Sequence, residues 1–351
     1  MSASQWRLHS TAVIFDMLDD PRPGHRLIGV SDPDVHLIDG RWTMFLGAFT
    51  TRFAIRIVEA RLPAGAPVTD PRWRFETDGR ARALIHGAPA GRASWDRVGM
   101  HTPCYVRGAI AGRSVERIYY AGRATTRMTG PGSRYAIGCL ERHDGMWSRH
   151  EGPVLRGDAH RPSVLEPRVI YAGGRWRMWF LAAVGETGRG AQPDYQLRYC
   201  ESDDGLAWSA PSVFATTAEG FFDNAVQHTG DRWEMLLARG TNLHGTVPFP
   251  SQGLWWSQSR TEPGARACWS PPIRLLDTAV ASQPWFAAGV CGPSFVYERD
   301  GGALRLHVFA TGTRRRTSWW RAATRRLAGL RRPPAPAPYY LATGRLTFTT
   351  D

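Results

Sequence analysis

One short phrase recurs five times along this chain: a polar or acidic residue, usually a proline, a few β-formers, a tight turn, then an aromatic and aliphatic run. It reads SDPDVHLIDGRWTMFLGA from Ser31, HTPCYVRGAIAGRSVERIYYAG from His101 and LEPRVIYAGGRWRMWFLA from Leu165. It returns as FDNAVQHTGDRWEMLLA from Phe222 and as CGPSFVYERDGGALRLHVFATG from Cys291. The anchors Pro33, Pro103, Pro167, Asn224 and Pro293 lie about 57 to 70 residues apart. A repeat of that period built from strands and turns predicts radial repetition of small sheets, an all-β, five-bladed β-propeller. Equivalent positions then converge on one axis. The residues just before the anchors form a ring: Asp32, Thr102, Glu166, Asp223 and Gly292. Three of the five are carboxylates.

Within each repeat the first strand carries the anchor phrase and ends at a polar turn, as at Asp39-Gly40, Gly173-Gly174, Gly230-Asp231 and Asp300-Gly301. Second strands are predicted at 42–48, 117–122, 175–182, 232–238 and 304–310, and third strands at 54–60, 135–141, 195–201, 253–259 and 339–343. A turn with a tryptophan follows, giving Trp147, Trp208, Trp269 and the looser Trp73. A tryptophan at one recurring blade position reads as packing between blades. The run Ala12 to Phe15 precedes the first anchor and has no blade of its own. It is expected to add an outer strand to the last blade and close the ring, hiding two open edges. The 351 residues are read as one closed unit, 1–351.

Composition excludes several classes. No apolar run approaches the roughly 20 residues needed to span a membrane, and no charged leader followed by an apolar stretch opens the chain. The five cysteines are scattered without CxxC spacing. Cys139, Cys200 and Cys268 fall where small buried strand residues are expected, so free thiols in a reducing cytoplasm are predicted. The formal charge is +13, but every one of the 44 basic residues is arginine. That bias suits a GC-rich coding sequence and does not by itself call for nucleic acid. The absence of lysine rules out lysine Schiff-base or lysine general-base chemistry.

One segment breaks the repeat. Residues 313–338, TRRRTSWWRAATRRLAGLRRPPAPAP, interrupt blade five with eight arginines and no acid. Trp320, Ala323, Leu327 and Leu330 fall in helical spacing before a proline-rich exit. A helix held on the rim by that stripe is expected. A lid over the axial mouth and a docking surface for an acidic partner are the alternatives.

The opening phrase SDPDVHLIDGRWTMFLGA resembles the first blade of five-bladed propeller glycosidases: glycoside hydrolase family 43 and its invertase and levansucrase relatives. WDRVGMHTPCYV resembles their second blade, VLEPRVIYAGGRWRMWF their third, and SDDGLAW their recurrent closing turn. The resemblance implies a three-carboxylate site at the axial end of the inner strands. Carried over by motif, Asp32 is the general base or nucleophile and Glu166 the general acid. Glycoside cleavage needs one carboxyl to protonate the leaving oxygen and another to supply or activate the nucleophile.

The second blade departs from that pattern. His101-Thr102-Pro103-Cys104 stands where the group places a modulating Asp, while Asp96 nearby reads as a loop turn. Blade four offers Asp223 instead, so the predicted catalytic set is Asp32, Glu166 and Asp223. His101, Thr102, Cys104 and Trp285 are the candidate substrate-binding residues. The resemblance also implies an axial metal, but CGPSFV supplies no clear ligand; His228 and His244 are candidates, and no cofactor is predicted. A small-molecule glycoside is the expected partner. The alternatives are a non-hydrolytic step, cyclisation or elimination, in specialised-metabolite biosynthesis, and a sugar-binding propeller without turnover.

Overall fold

The structure, a computed structural model, describes residues 6–18, 25–89, 91, 93–126, 134–184, 194–216, 218–239, 252–281, 283–300, 303–314, 318–331, 333–334 and 340–350. Five antiparallel sheets follow one another along the chain, each ordered from the innermost strand outward. Blade one comprises β2 (Leu27–Ile38), β3 (Arg41–Thr50), β4 (Ile55–Arg61) and β5 (Arg74–Phe75), with β6 (Ile85–His86) also on β4. Blade two is β7 (Gly99–Ile110), β8 (Arg113–Arg123), β9 (Ala136–His143) and β10 (Met146–Arg149). Blade three is β11 (Ser163–Ala172), β12 (Arg175–Ala183), β13 (Tyr195–Ser202) and β14 (Ser212–Ala215). Blade four is β15 (Phe221–Thr229), β16 (Arg232–Arg239), β17 (Gly253–Ser259) and β18 (Ile273–Asp277). Blade five holds β19 (Val290–Asp300), β20 (Ala303–Thr313) and β21 (Leu341–Thr350), and its outer strand is β1 (Trp6–Asp16).

The innermost strands β2, β7, β11, β15 and β19 each contact the next, and β19 returns to β2, so the ring is closed. β1 pairs along β21 from Trp6 opposite Thr350 to Asp16 opposite Ala342. That pairing covers the edge of the last blade, as the N-terminal run predicts. It also explains why β21 continues to Thr350, well past the expected end at 343. Short hairpins keep the inner strands in register. Asp39-Gly40, Ala111-Gly112 and Gly173-Gly174 each place two successive residues at positive φ, the turn that matches strand twist.

The recurrent tryptophans pack between blades. Trp147 of blade two meets Phe45 of blade one, and Trp208 of blade three meets Tyr119 of blade two. Trp269 of blade four meets Phe214 of blade three, and Trp73 of blade one meets Phe309 of blade five. Each ring reaches back onto the preceding blade. Cys104, Cys139, Cys200 and Cys268 are free thiols. Cys139 and Cys200 are buried in strands, but Cys268 is exposed in a 3-10 turn at Arg266–Cys268, outside any strand.

The insertion contains α1 (Trp319–Ala328), tied to the propeller through Arg326 Nη1, which donates to the Leu18 carbonyl. Of its expected packing stripe only Ala323 is buried. Ala322 and Ala323 are buried, whereas Trp320, Leu327 and Leu330 are exposed. Only the two small residues permit the close approach that this helix makes. No described helix is long and apolar enough to cross a membrane.

Candidate active site

The ring positions sit on backbone irregularities. The register of the inner strands slips between Ser31 and Asp34, His101 and Cys104, Leu165 and Arg168, and Cys291 and Ser294. At each slip the ring residue adopts a left-handed conformation: Asp32 φ 54°, Thr102 47°, Glu166 55° and Gly292 53°. Such a conformation costs an L-residue about 1–2 kcal/mol, and a bulge redirects a side chain out of the strand's alternation. Three non-glycine residues bearing that strain in equivalent places mark a site that the surrounding fold holds in tension. Blade four differs, with a slip between Phe221 and Asp223 and no left-handed residue there.

The three predicted carboxylates form one cluster. Ser31 Oγ donates to Asp32 Oδ2 at 2.8 Å, and the Asp32 N–H donates to Thr311 Oγ1 at 2.7 Å. The Gly292 N–H donates to Asp223 Oδ2 at 2.9 Å. Gly292 also lies against Asp32: a Cβ there would be 2.6 Å from Asp32 Oδ1. The interaction between Glu166 and Asp223 raises the first and lowers the second, which favours protonation of Glu166. Burial, then the charges of Asp223 and Asp32, hold Glu166 well above the usual carboxylate range. Burial raises Asp223 to about 6, with Asp32 adding to the shift and the Gly292 N–H and Arg168 opposing it. Burial also raises Asp32, against Ser31 and Arg168. Asp32 and Glu166 keep part of their surface open, while Asp223 is buried.

These shifts have a sign for stability. Each of the three carboxyls binds its proton more tightly folded than unfolded, so their contribution is present at low pH. It is lost as the pH rises from the unfolded values near 4 through the folded ones. Glu166→Gln removes the largest such group. Its melting temperature should match the parent's near pH 4 and exceed it by several degrees at pH 8, measured by thermal melts across that range. A constant difference at every pH would contradict the raised carboxyl.

One functional residue escaped sequence reading. Arg168, two positions after Glu166, is buried, and its guanidinium reaches every other blade. Nε donates to the Asn224 carbonyl at 2.7 Å, and Nη1 to the Pro103 carbonyl at 3.3 Å and to Asp34 Oδ1 at 3.5 Å. Nη2 donates to the Pro293 carbonyl at 3.2 Å. A group bonded to four blades from the fifth stands on the axis. The signal was present in the phrase itself. The residues after the anchors form a second ring of Asp34, Cys104, Arg168, Ala225 and Ser294, one cation and one anion among small side chains. Burial works to raise Asp34, but His36, Arg168 and the Tyr105 N–H hold it below its ordinary value.

The predicted binding residues separate. His101 is buried and accepts from Arg123 Nε at 2.9 Å. Burial, then Arg123 and Arg56, push it down to about 3, so it is a neutral acceptor at physiological pH. Thr102 occupies the blade-two ring position, and its Oγ1 is buried with no protein partner. Cys104 lies beyond the ring, where its sulfur accepts from the Val169 N–H at 3.2 Å; burial raises its thiol to about 12. There it lines a cavity of about 530 Å³ that opens on the far side of Arg168, together with His36, Tyr105, Tyr171 and His228. Trp285 is packed in the core of blade five, its indole over Gly312 and Gly344. Asp96 is fully buried, bonded by Tyr120 and paired with Arg149, which makes it a structural residue.

The axial metal that the resemblance implies does not fit these residues. The guanidinium of Arg168 fills the axis, and the inward carbonyls of Pro103, Asn224 and Pro293 already accept from it. His228 lies tilted against the Trp233 ring, on the opposite side of Arg168 from the carboxylates, and His244 lies outside the described residues.

No protein-family profile and no curated protein matches the chain. Solved structures do. It is similar to a thermostable family-43 glycoside hydrolase at 12% identity and a TM-score of 0.57, over 90% of this chain and 89% of that one. The catalytic domain of a family-62 α-L-arabinofuranosidase from Coprinopsis cinerea aligns at 13% identity and 0.56, over 98% of both chains. A family-117 glycoside hydrolase from Zobellia galactanivorans aligns at 10% and 0.59, over 98% of this chain and 90% of that one. At such identities the likeness establishes the fold alone, a five-bladed β-propeller similar to that of these glycoside hydrolases.

Proposed function

We propose that this protein is a glycoside hydrolase in which Glu166 is the general acid, Asp32 the base or nucleophile, and Asp223 the carboxylate that tunes Glu166. The observation that carries this reading is the single axial cluster of Asp32, Glu166 and Asp223, linked through Gly292, in which burial and the neighbouring acids hold Glu166 well above the usual carboxylate range. Glycoside cleavage requires two carboxyls that titrate apart. Here the fourth blade supplies the third carboxylate that the second blade lacks. Glu166, kept protonated by burial and two neighbouring acids, can give its proton to the leaving oxygen. As that proton leaves, the negative charge on Glu166 is met by Arg168, which also favours ionised Asp32. The unpartnered Thr102 hydroxyl and Asn224 amide keep hydrogen-bonding capacity for sugar hydroxyls.

Among the similar structures is an α-L-arabinofuranosidase, so the first substrates to test are aryl furanosides of arabinose, followed by aryl xylosides and galactosides. The assay follows aryl release by absorbance and the released sugar by proton NMR in water enriched in oxygen-18. Incorporation of the label at the anomeric carbon is expected, and the first-formed anomer assigns Asp32 as base or nucleophile. An unsaturated product without label would instead establish elimination. Binding of the same sugars without turnover at any pH from 4 to 8 would leave a sugar-binding propeller.

A further inference from the structure

We propose that the Arg168 guanidinium is the built-in axial cation of this propeller, holding the five inner strands together where a divalent metal would otherwise sit. Its four recorded acceptors are three anchor carbonyls, from Pro103, Asn224 and Pro293, and the Asp34 carboxylate. These come from four blades, and the side chain itself belongs to the fifth. Hard oxygen donors converging from several chain segments are what a calcium ion takes, six to eight at a time, with water completing the shell. A guanidinium meets the same oxygens with N–H groups arranged in a fixed planar fork and never loses its charge.

The second ring makes this substitution sterically feasible. Cys104, Ala225 and Ser294 are small, so a long side chain from blade three can cross the axis. Asp34 supplies the countercharge, fixed in turn by the Tyr105 N–H at 2.6 Å and by His36 at 2.8 Å. A buried charge with a carboxylate and three carbonyls is well compensated, whereas removal of one partner of such a pair is strongly destabilising. Arg168 therefore does for the fold what an axial metal would do, and it does so with the oxygens such a metal would need.

The test reads melting temperature, which is independent of any glycosidase activity. Parent protein, Arg168→Ala and Arg168→Lys are melted in EDTA and then in millimolar calcium. The parent should melt identically in both. Arg168→Ala should melt roughly 10 °C lower in EDTA and recover part of that loss in calcium, which occupies the vacated oxygen cage. Arg168→Lys keeps the charge but cannot reach all four acceptors, so it should melt between the two and ignore calcium. If Arg168→Ala fails to fold in EDTA, its refolding yield with and without calcium replaces the melt. A parent that EDTA destabilises and calcium restores would overturn the proposal. So would an Ala variant as stable as the parent, or one that is destabilised but unresponsive to calcium.

Discussion

Glu166→Gln should lower turnover of a glycoside substrate by roughly 10²–10⁴-fold, the span that a positioned general acid contributes, while binding is spared. The amide keeps the shape of the side chain and still has an N–H to offer Asp223, but it has no proton to transfer to a leaving oxygen. The loss should depend on the leaving group. A dinitrophenyl glycoside departs with little protonation, so the variant should come closest to the parent on that substrate and furthest from it on an alkyl glycoside. The basic limb of the pH–rate profile, which in the parent reports deprotonation of Glu166, should disappear. Equal rates for Gln variant and parent across the series would remove Glu166 from the acid role.

Gly292→Ala should cost about 100-fold in kcat/KM, the order expected when a reacting group is displaced by about 1 Å. The added Cβ would meet Asp32 Oδ1 at 2.6 Å and Asp32 Cα at 3.1 Å, and the same residue's N–H positions Asp223. A methyl group here pushes on two members of the cluster at once. Part of the effect is backbone strain, because Gly292 has φ +53°. Gly65→Ala serves as the control: it has φ +71° and open space around its would-be Cβ. The control should lose some stability and no activity. If Gly292→Ala behaves like Gly65→Ala, the contact with Asp32 is not what sets the geometry.

Much of the architecture was legible because it is encoded locally and repeated. Strand alternation, positive-φ turns such as Asp39-Gly40, and the recurring tryptophans act over a few residues, and five copies of one unit specify the rotation between them. The same logic located the candidate site. Residues at one repeat position must converge on the axis, so Asp32, Glu166, Asp223, Thr102 and Gly292 could be placed in one ring without knowing any distance. The closing strand β1 was legible for a related reason, since an unpaired apolar run must find an edge.

What the sequence could not settle depends on groups far apart in the chain meeting across that axis. Arg168 and Asp34 are separated by 134 positions and make one ion pair. No local pattern distinguishes a plugging arginine from a surface one in a chain whose every basic residue is arginine. The indole of Trp285 is buried against Gly312 and Gly344 because those two glycines leave room for it, a fact of packing between strands. Three of the four residues of the insertion's helical stripe, Trp320, Leu327 and Leu330, face outward, and the buried face is made by Ala322 and Ala323. The amino-acid sequence alone determined the five-bladed fold and the ring of positions from which chemistry can be done, since both follow from short-range rules repeated at a regular period. Only the tertiary structure decided that burial beside Asp223 and Asp32 raises Glu166 and that a guanidinium stands on the axis. Protonation and charge pairing depend on burial and through-space distance, which exist only once the ring has closed.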